Sequence, residues 1–195
     1  MAYQTEDPKT STTEKGGRKH GAGFDVFVTI LVAFVIAVLL RLFVVEVNVV
    51  PTASMLDTIQ EGDLIFGLRI SLLWDDPDQG DVVTFKSVTD SDTTLVKRVI
   101  AVGGQTVDLR DGVVYVDGVA LDEPYTEGKP SYSLSDTAGS AGITYPYTVP
   151  DGYVWVMGDN RTNSLDSRYF GPVPVSSVTS KVICIYWPIE DIKTL

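Results

Sequence analysis

Phe24 to Val45 is apolar apart from Asp25, Thr29 and Arg41. This run constrains the chain more than any other feature. An α-helix needs about 20 such residues to cross a bilayer. The run has no polar face, which argues against a core helix of a soluble protein. Arg41 stands near its end, where the guanidinium can reach the membrane interface. One N-terminal transmembrane α-helix over residues 24–45 is therefore expected. The competing reading is a cleaved secretory leader with its cut after Ala53. The run is long for a leader, and Pro51 would lie three positions before that cut.

The flanks give the direction. Residues 1–23 carry Lys9, Lys15, Arg18 and Lys19 against Glu6, Asp7 and Glu14, and read as a disordered tail rich in Thr, Ser, Gly, Lys and Pro. Glu46, Asp57, Glu61 and Asp63 follow the run. The positive-inside rule puts the tail in the cytoplasm and residues 46–195 outside, as a single-pass protein of the cell membrane. The formal net charge is −11, and tail and span do not supply it. The outer segment is thus acidic, which argues against a nucleic-acid partner. One cysteine, Cys184, and one histidine, His20, make an internal disulfide impossible and a metal site improbable. Cys184 lies among Val182, Ile183 and Ile185 and reads as a buried small apolar residue. No cofactor is expected.

The outer segment reads as mainly β. Val44 to Val50 is β-branched and extended, and a short helix is expected from Ser54 to Gln60. Strands are expected at Leu64–Gly67, Val82–Lys86, Leu95–Val102, Tyr153–Met157 and Val182–Trp187. Val107–Arg110 and Val113–Val116 flank Asp111-Gly112, a two-residue hairpin signal, and Asp117-Gly118 ends that hairpin. Many short strands with glycine turns predict an antiparallel β-sheet domain. A small β subdomain is expected at about 105–150, where residues 123–150 read as a variable loop rich in Gly, Ser, Thr, Pro and Tyr.

Ser54 follows the apolar run in Pro51-Thr52-Ala53-Ser54-Met55. A serine nucleophile needs a proton acceptor, and His20 lies on the far side of the run. Lys97 is the alternative. On an extended strand it shares a face with Leu95, Val99 and Ala101, which should lower its pKa, with a modest push from Arg98. A surface lysine at a strand edge is the plain alternative.

Three segments bear on that choice. They are Pro51-Thr52-Ala53-Ser54-Met55 continuing to Gly62-Asp63; Gly80-Asp81-Val82-Val83 with Leu95-Val96-Lys97-Arg98-Val99-Ile100; and Gly158-Asp159-Asn160-Arg161-Thr162-Asn163-Ser164-Leu165-Asp166-Ser167-Arg168-Tyr169-Phe170-Gly171. In this order, behind one anchor, they resemble bacterial type I signal peptidases in their single-anchor, Gram-positive form. The resemblance implies a membrane-bound serine endopeptidase that removes signal peptides from exported preproteins after an Ala-x-Ala type site. It makes Ser54 the nucleophile and Lys97 the general base. It implies an oxyanion hole from the Ser54 N–H and the Thr52 hydroxyl, and a Ser164 hydroxyl bonded to the lysine amine. Asp166 and Arg168 match a buried ion pair, and Asp159, Asn160 and Arg161, with Arg98, match structural positions beside the site. Val50, Met55, Ile59 and Val96 would line shallow pockets for small side chains. An extended signal peptide would add to the edges at Val47–Pro51 and Thr93–Val96. Its partners would be signal peptides, membrane lipid and, by proximity, the translocon. Leu72-Leu73-Trp74 could dip into the interface.

The chain departs from the pattern at Asp57, where proline is frequent, at Thr52, where serine is commoner, and at Gly103-Gly104-Gln105. A catalytically inactive scaffold of the same fold, used in surface assembly, is the alternative, although both dyad residues are present. A soluble self-cleaving Ser–Lys regulator is disfavoured by the apolar run.

Overall fold

The computed structural model describes residues 22–90 and 92–195. The tail at 1–21 lies outside them. The chain divides into two units at Val38/Leu39. Helix α1, Ala22–Phe43, is long and apolar enough over Gly23–Phe43 to cross a membrane, and its side chains from Phe24 onwards are exposed. It stops two residues short of the expected Val45. Val44 already bonds sideways, its carbonyl accepting from the Arg69 N–H, and the β-branched Val45 opens the first strand.

The second unit contains two antiparallel sheets. The larger runs β1 (Val45–Val49), β2 (Leu64–Leu68), β11 (Val178–Trp187), β3 (Val82–Lys86), β4 (Thr94–Val102), β9 (Tyr153–Met157) and β10 (Val173–Pro174), with β12 (Lys193–Thr194) also on β11. The smaller runs β7 (Val119–Ala120), β6 (Val113–Val116), β5 (Thr106–Arg110) and β8 (Tyr147–Thr148). Asp111 and Gly112 turn β5 into β6 with positive φ, +50° and +82°, as a type I′ hairpin requires. Asp117-Gly118 makes a second such turn, into β7.

Alternation on β4 organises the core. Val96 faces Val50, Met55, Ile59, Ile65, Val82, Val182 and Ile185. Leu95 and Val99 face Val83, Phe85, Val154, Val156, Val173 and Phe170. A register shift between Val99 and Ala101 turns the end of β4 towards the smaller sheet, where Ile100 and Ala101 join Val107, Val114, Val149, Trp155 and Met157. Cys184 is half-buried rather than enclosed, because β11 shifts register against β2 beside it.

The helix expected at Ser54–Gln60 is only one 3₁₀ turn, Ala53–Met55, followed by turns. The backbone leaves helical geometry at Leu56 (ψ 137°), and Thr58 beyond it donates its hydroxyl to Asp159.

Candidate active site

Three chain segments meet beside Lys97, in the first half of β4. The first is the turn after β1. Met55 and Ile59 anchor it by complete burial, which leaves Ser54 at the surface of the core. Its carbonyls are held from across the sheet: Asn160 donates its N–H to Ser54 O (3.1 Å) and its Nδ2 to Ala53 O (2.9 Å).

The second is β4 itself. Lys97 is 3% exposed. Its Nζ donates to Ser54 Oγ at 2.6 Å and to Val96 O at 2.9 Å. Burial lowers its pKa from 10.5 to about 8, while Asp166 and Asp159 pull it back up. The expected push from Arg98 is not among the causes. The reason is geometric: Arg98 is engaged by Asp159, Nε to Oδ1 at 2.9 Å and Nη2 to Oδ2 at 2.7 Å.

The third is the loop after β9. Asp166 and Arg168 form a fully buried ion pair, and Asp166 also accepts from the Gly158 N–H (3.0 Å) and caps the four-residue helix α2, Ser167–Phe170. Gly158 has no room for a side chain. A Cβ there would strike the Ser54 carbonyl and Ser164 Oγ.

Thr52 Oγ1 lies 3.3 Å from Ser54 Oγ. Ser164 departs from expectation. Its Oγ is buried and makes no hydrogen bond among the described residues, while Lys97 Nζ bonds Ser54 and Val96 instead. A cleft of about 140 Å³ runs from the β1 edge to the start of β4, which pairs with β3 but not with β9 there, lined by Asn48, Val49, Val50, Pro51, Thr52 and Thr93–Lys97 among others. Val50 and Val96 line it as expected. Met55 and Ile59 do not: the 3₁₀ turn directs them inward, where both are fully buried in the core beneath.

The sequence reading missed part of the region 123–150. Glu123 takes Arg161 in a two-pronged ion pair, Tyr125 stacks on Arg98 at 4.0 Å, and Lys129 bonds Asp57 at 2.6 Å. The one signal was local: Asp122-Glu123-Pro124-Tyr125 is charged and aromatic within an otherwise Gly/Ser-rich stretch.

A serine hydroxyl resting on a buried amine, on an antiparallel β scaffold with no imidazole among the described residues, is the arrangement of a serine hydrolase of the Ser–Lys kind. Comparison with known proteins carries this further. The family described as "Signal peptidase, peptidase S26" matches residues 24–187, and the chain belongs to it. A relative described as "Probable signal peptidase I-1", from Synechocystis sp., is 37% identical over 82% of this chain and 80% of its own. "Signal peptidase I" of Bacillus amyloliquefaciens is 28% identical over 97% of this chain and 98% of its own. A solved signal peptidase I from Enterococcus faecalis is 33% identical, with a TM-score of 0.45, and covers 55% of this chain and 97% of that one. The chain is a serine protease of the type I signal peptidase kind, and it removes signal peptides from preproteins. The inactive-scaffold alternative finds no support in these relatives.

Proposed function

We propose that Ser54 and Lys97 carry the reaction. The observation behind this is their 2.6 Å contact in a buried setting that lowers the amine pKa to about 8, where half of it is neutral. The neutral amine accepts the Oγ proton as Oγ attacks the carbonyl carbon of the residue before the cut. Thr52 Oγ1 and the Ser54 N–H face the developing oxyanion. The C–N bond then breaks. The protonated amine gives its proton to the leaving nitrogen, and the signal peptide stays on Ser54 as an ester. Water attacks the ester, Lys97 takes its proton, and that proton returns to Oγ. Asp159, Asn160, Asp166, Arg168 and Arg98 hold the walls.

The substrate is an extended peptide lying between the β1 edge and Thr93–Lys97, with small residues fitted against Val50 and Val96. The narrowness of the cleft, about 140 Å³, supports this selection by clash. Residues 24–45 span the cell membrane with the tail cytoplasmic and residues 46–195 outside, close to the translocon and to lipid. The basic tail and the acidic outer segment support that orientation. Leu73 and Trp74, 73% and 76% exposed, support contact with the bilayer interface.

The test is cleavage of a preprotein in detergent by the full chain beside Ser54→Ala and Lys97→Ala, with sequencing of the product. A cut after an Ala-x-Ala type site that both folded variants fail to make is the expected result. Activity in either variant above about one part in a thousand would refute the assignment.

A further inference from the structure

We propose that residues 123–131 form a positioning strap for this reaction: Glu123, Tyr125 and Lys129 hold, through Arg161, Arg98 and Asp57, the three segments that carry the catalytic groups. The proposal rests on the Ser54–Lys97 reading.

The strap leaves the smaller sheet after β7 and folds back over the base of the site. Its 3₁₀ turn, Pro124–Thr126, starts with a proline preset for it, and the left-handed Glu127 (φ +50°) ends it. Each of its three contacts ends close to a catalytic group. Arg98 adjoins Lys97 in sequence, Asp57 lies three residues after Ser54, and Arg161 lies three before Ser164.

Charge explains why these contacts matter. Arg98 and Arg161 are two buried guanidinium groups beside one aromatic ring. Arg98 lies 4.0 Å from the centroid of Tyr125 and Arg161 lies 5.8 Å from it. Asp159 neutralises the first, and Glu123 neutralises the second. The Tyr125 hydroxyl donates to Glu123 Oε1 (3.0 Å), which fixes ring and carboxylate together. Ser131 Oγ accepts a further Arg161 bond at 2.7 Å. Removing Glu123 would leave a buried cation without a partner, a situation that proteins relieve by moving the charge.

Arg161 cannot move alone. Its Nε donates to Gly158 O (3.0 Å), and its own carbonyl accepts from Arg168 Nη2 (2.8 Å). Gly158 is the residue packed against the Ser54 carbonyl and Ser164 Oγ. A shift of Arg161 is therefore transmitted to the nucleophile's own peptide within two contacts. Misplacement by about 1 Å is enough to cost about 100-fold in rate. Glu123 and Tyr125 touch neither substrate nor reacting atoms, so their role is positioning.

The full chain in detergent should be assayed on a preprotein, with kcat and KM measured separately, as Glu123→Gln, Tyr125→Leu, Tyr125→Phe and Ser54→Ala. Temperature is held well below each variant's unfolding midpoint. Glu123→Gln and Tyr125→Leu should lose about tenfold or more in kcat, with KM within about twofold. Tyr125→Phe, which keeps the stacked ring, should retain half of kcat or more. Folded Glu123→Gln and Tyr125→Leu with wild-type kcat and only a lower midpoint would overturn the proposal, as would an effect confined to KM. If Tyr125→Leu does not fold, the near-isosteric Glu123→Gln decides alone. Ser54→Ala separates the two failures. If it stays active, the dyad reading falls and takes the strap with it. If it is dead while Glu123→Gln is unimpaired, only the strap falls.

Discussion

At the scale of single residues, Lys97 shows how a site is built against stability. Its folded pKa of about 8 lies below the unfolded value near 10.4. Between those values the unfolded chain binds the extra proton, so stability rises with pH across that window. Below pH 8 the buried lysine holds the full penalty, roughly 3 kcal/mol for a shift of this size. Lys97→Met should therefore be more stable than wild type at pH 7. Its advantage should shrink by roughly 3 kcal/mol between pH 8 and pH 10.5, measured by urea unfolding at several pH values. A difference that does not change with pH would refute the shift. Gly158 makes the opposite point, about space. Gly158→Ala places a methyl group against the Ser54 carbonyl, so kcat should fall by about 100-fold while the fold persists by circular dichroism. Wild-type kcat would show that this wall yields freely.

At the scale of elements, the ion pair between Arg98 on β4 and Asp159 after β9 ties the lysine strand to the loop behind the serine. Asp159 also accepts from Thr58, so it joins all three segments. Asp159→Asn leaves Arg98 buried and unpaired, which should cost about 3 kcal/mol and lower Tm by about 10 °C in a calorimetric scan. An unchanged Tm would mean that solvent reaches Arg98. This is also the scale at which sequence and structure part company. β-branched runs and Gly-Asp turns made the strands legible, because those residues bias the backbone locally. Ser54 and Lys97 were legible because histidine was missing from the outer segment and the motifs resembled a known family. The inward turn of Met55 and Ile59 was not legible, since it depends on where Val82, Val182 and Ile185 arrive from distant strands. The strap was hidden for the same reason. Glu123 and Arg161 are 38 positions apart, and Lys129 and Asp57 are 72 apart, so only the assembled sheets bring them together. The orphaned Ser164 hydroxyl is a matter of side-chain placement, which no periodicity encodes.

At the scale of the whole molecule, the question is what confinement to a surface adds to a small cleft. A cleft of about 140 Å³ offers little binding area, so free affinity for a preprotein should be weak. Interface contact through exposed aromatic side chains would supplement it. Residues 46–195 alone should bind liposomes, and Trp74→Ser should reduce the bound fraction by about half or more in co-sedimentation. Equal binding by the variant would remove Trp74 from that role. The apolar helix acts on a larger scale. Sharing a membrane with its substrate would turn a three-dimensional encounter into a search of one surface and raise the effective concentration to the millimolar range. Deleting residues 1–43 should therefore leave kcat in detergent within about twofold of the full chain. In vesicles that also carry the preprotein, the same deletion should slow cleavage by about 10- to 100-fold. Equal losses in detergent and in vesicles would mean that the helix shapes the catalytic unit itself. Equal rates in vesicles would mean that the cleft finds its substrate without any help from the membrane.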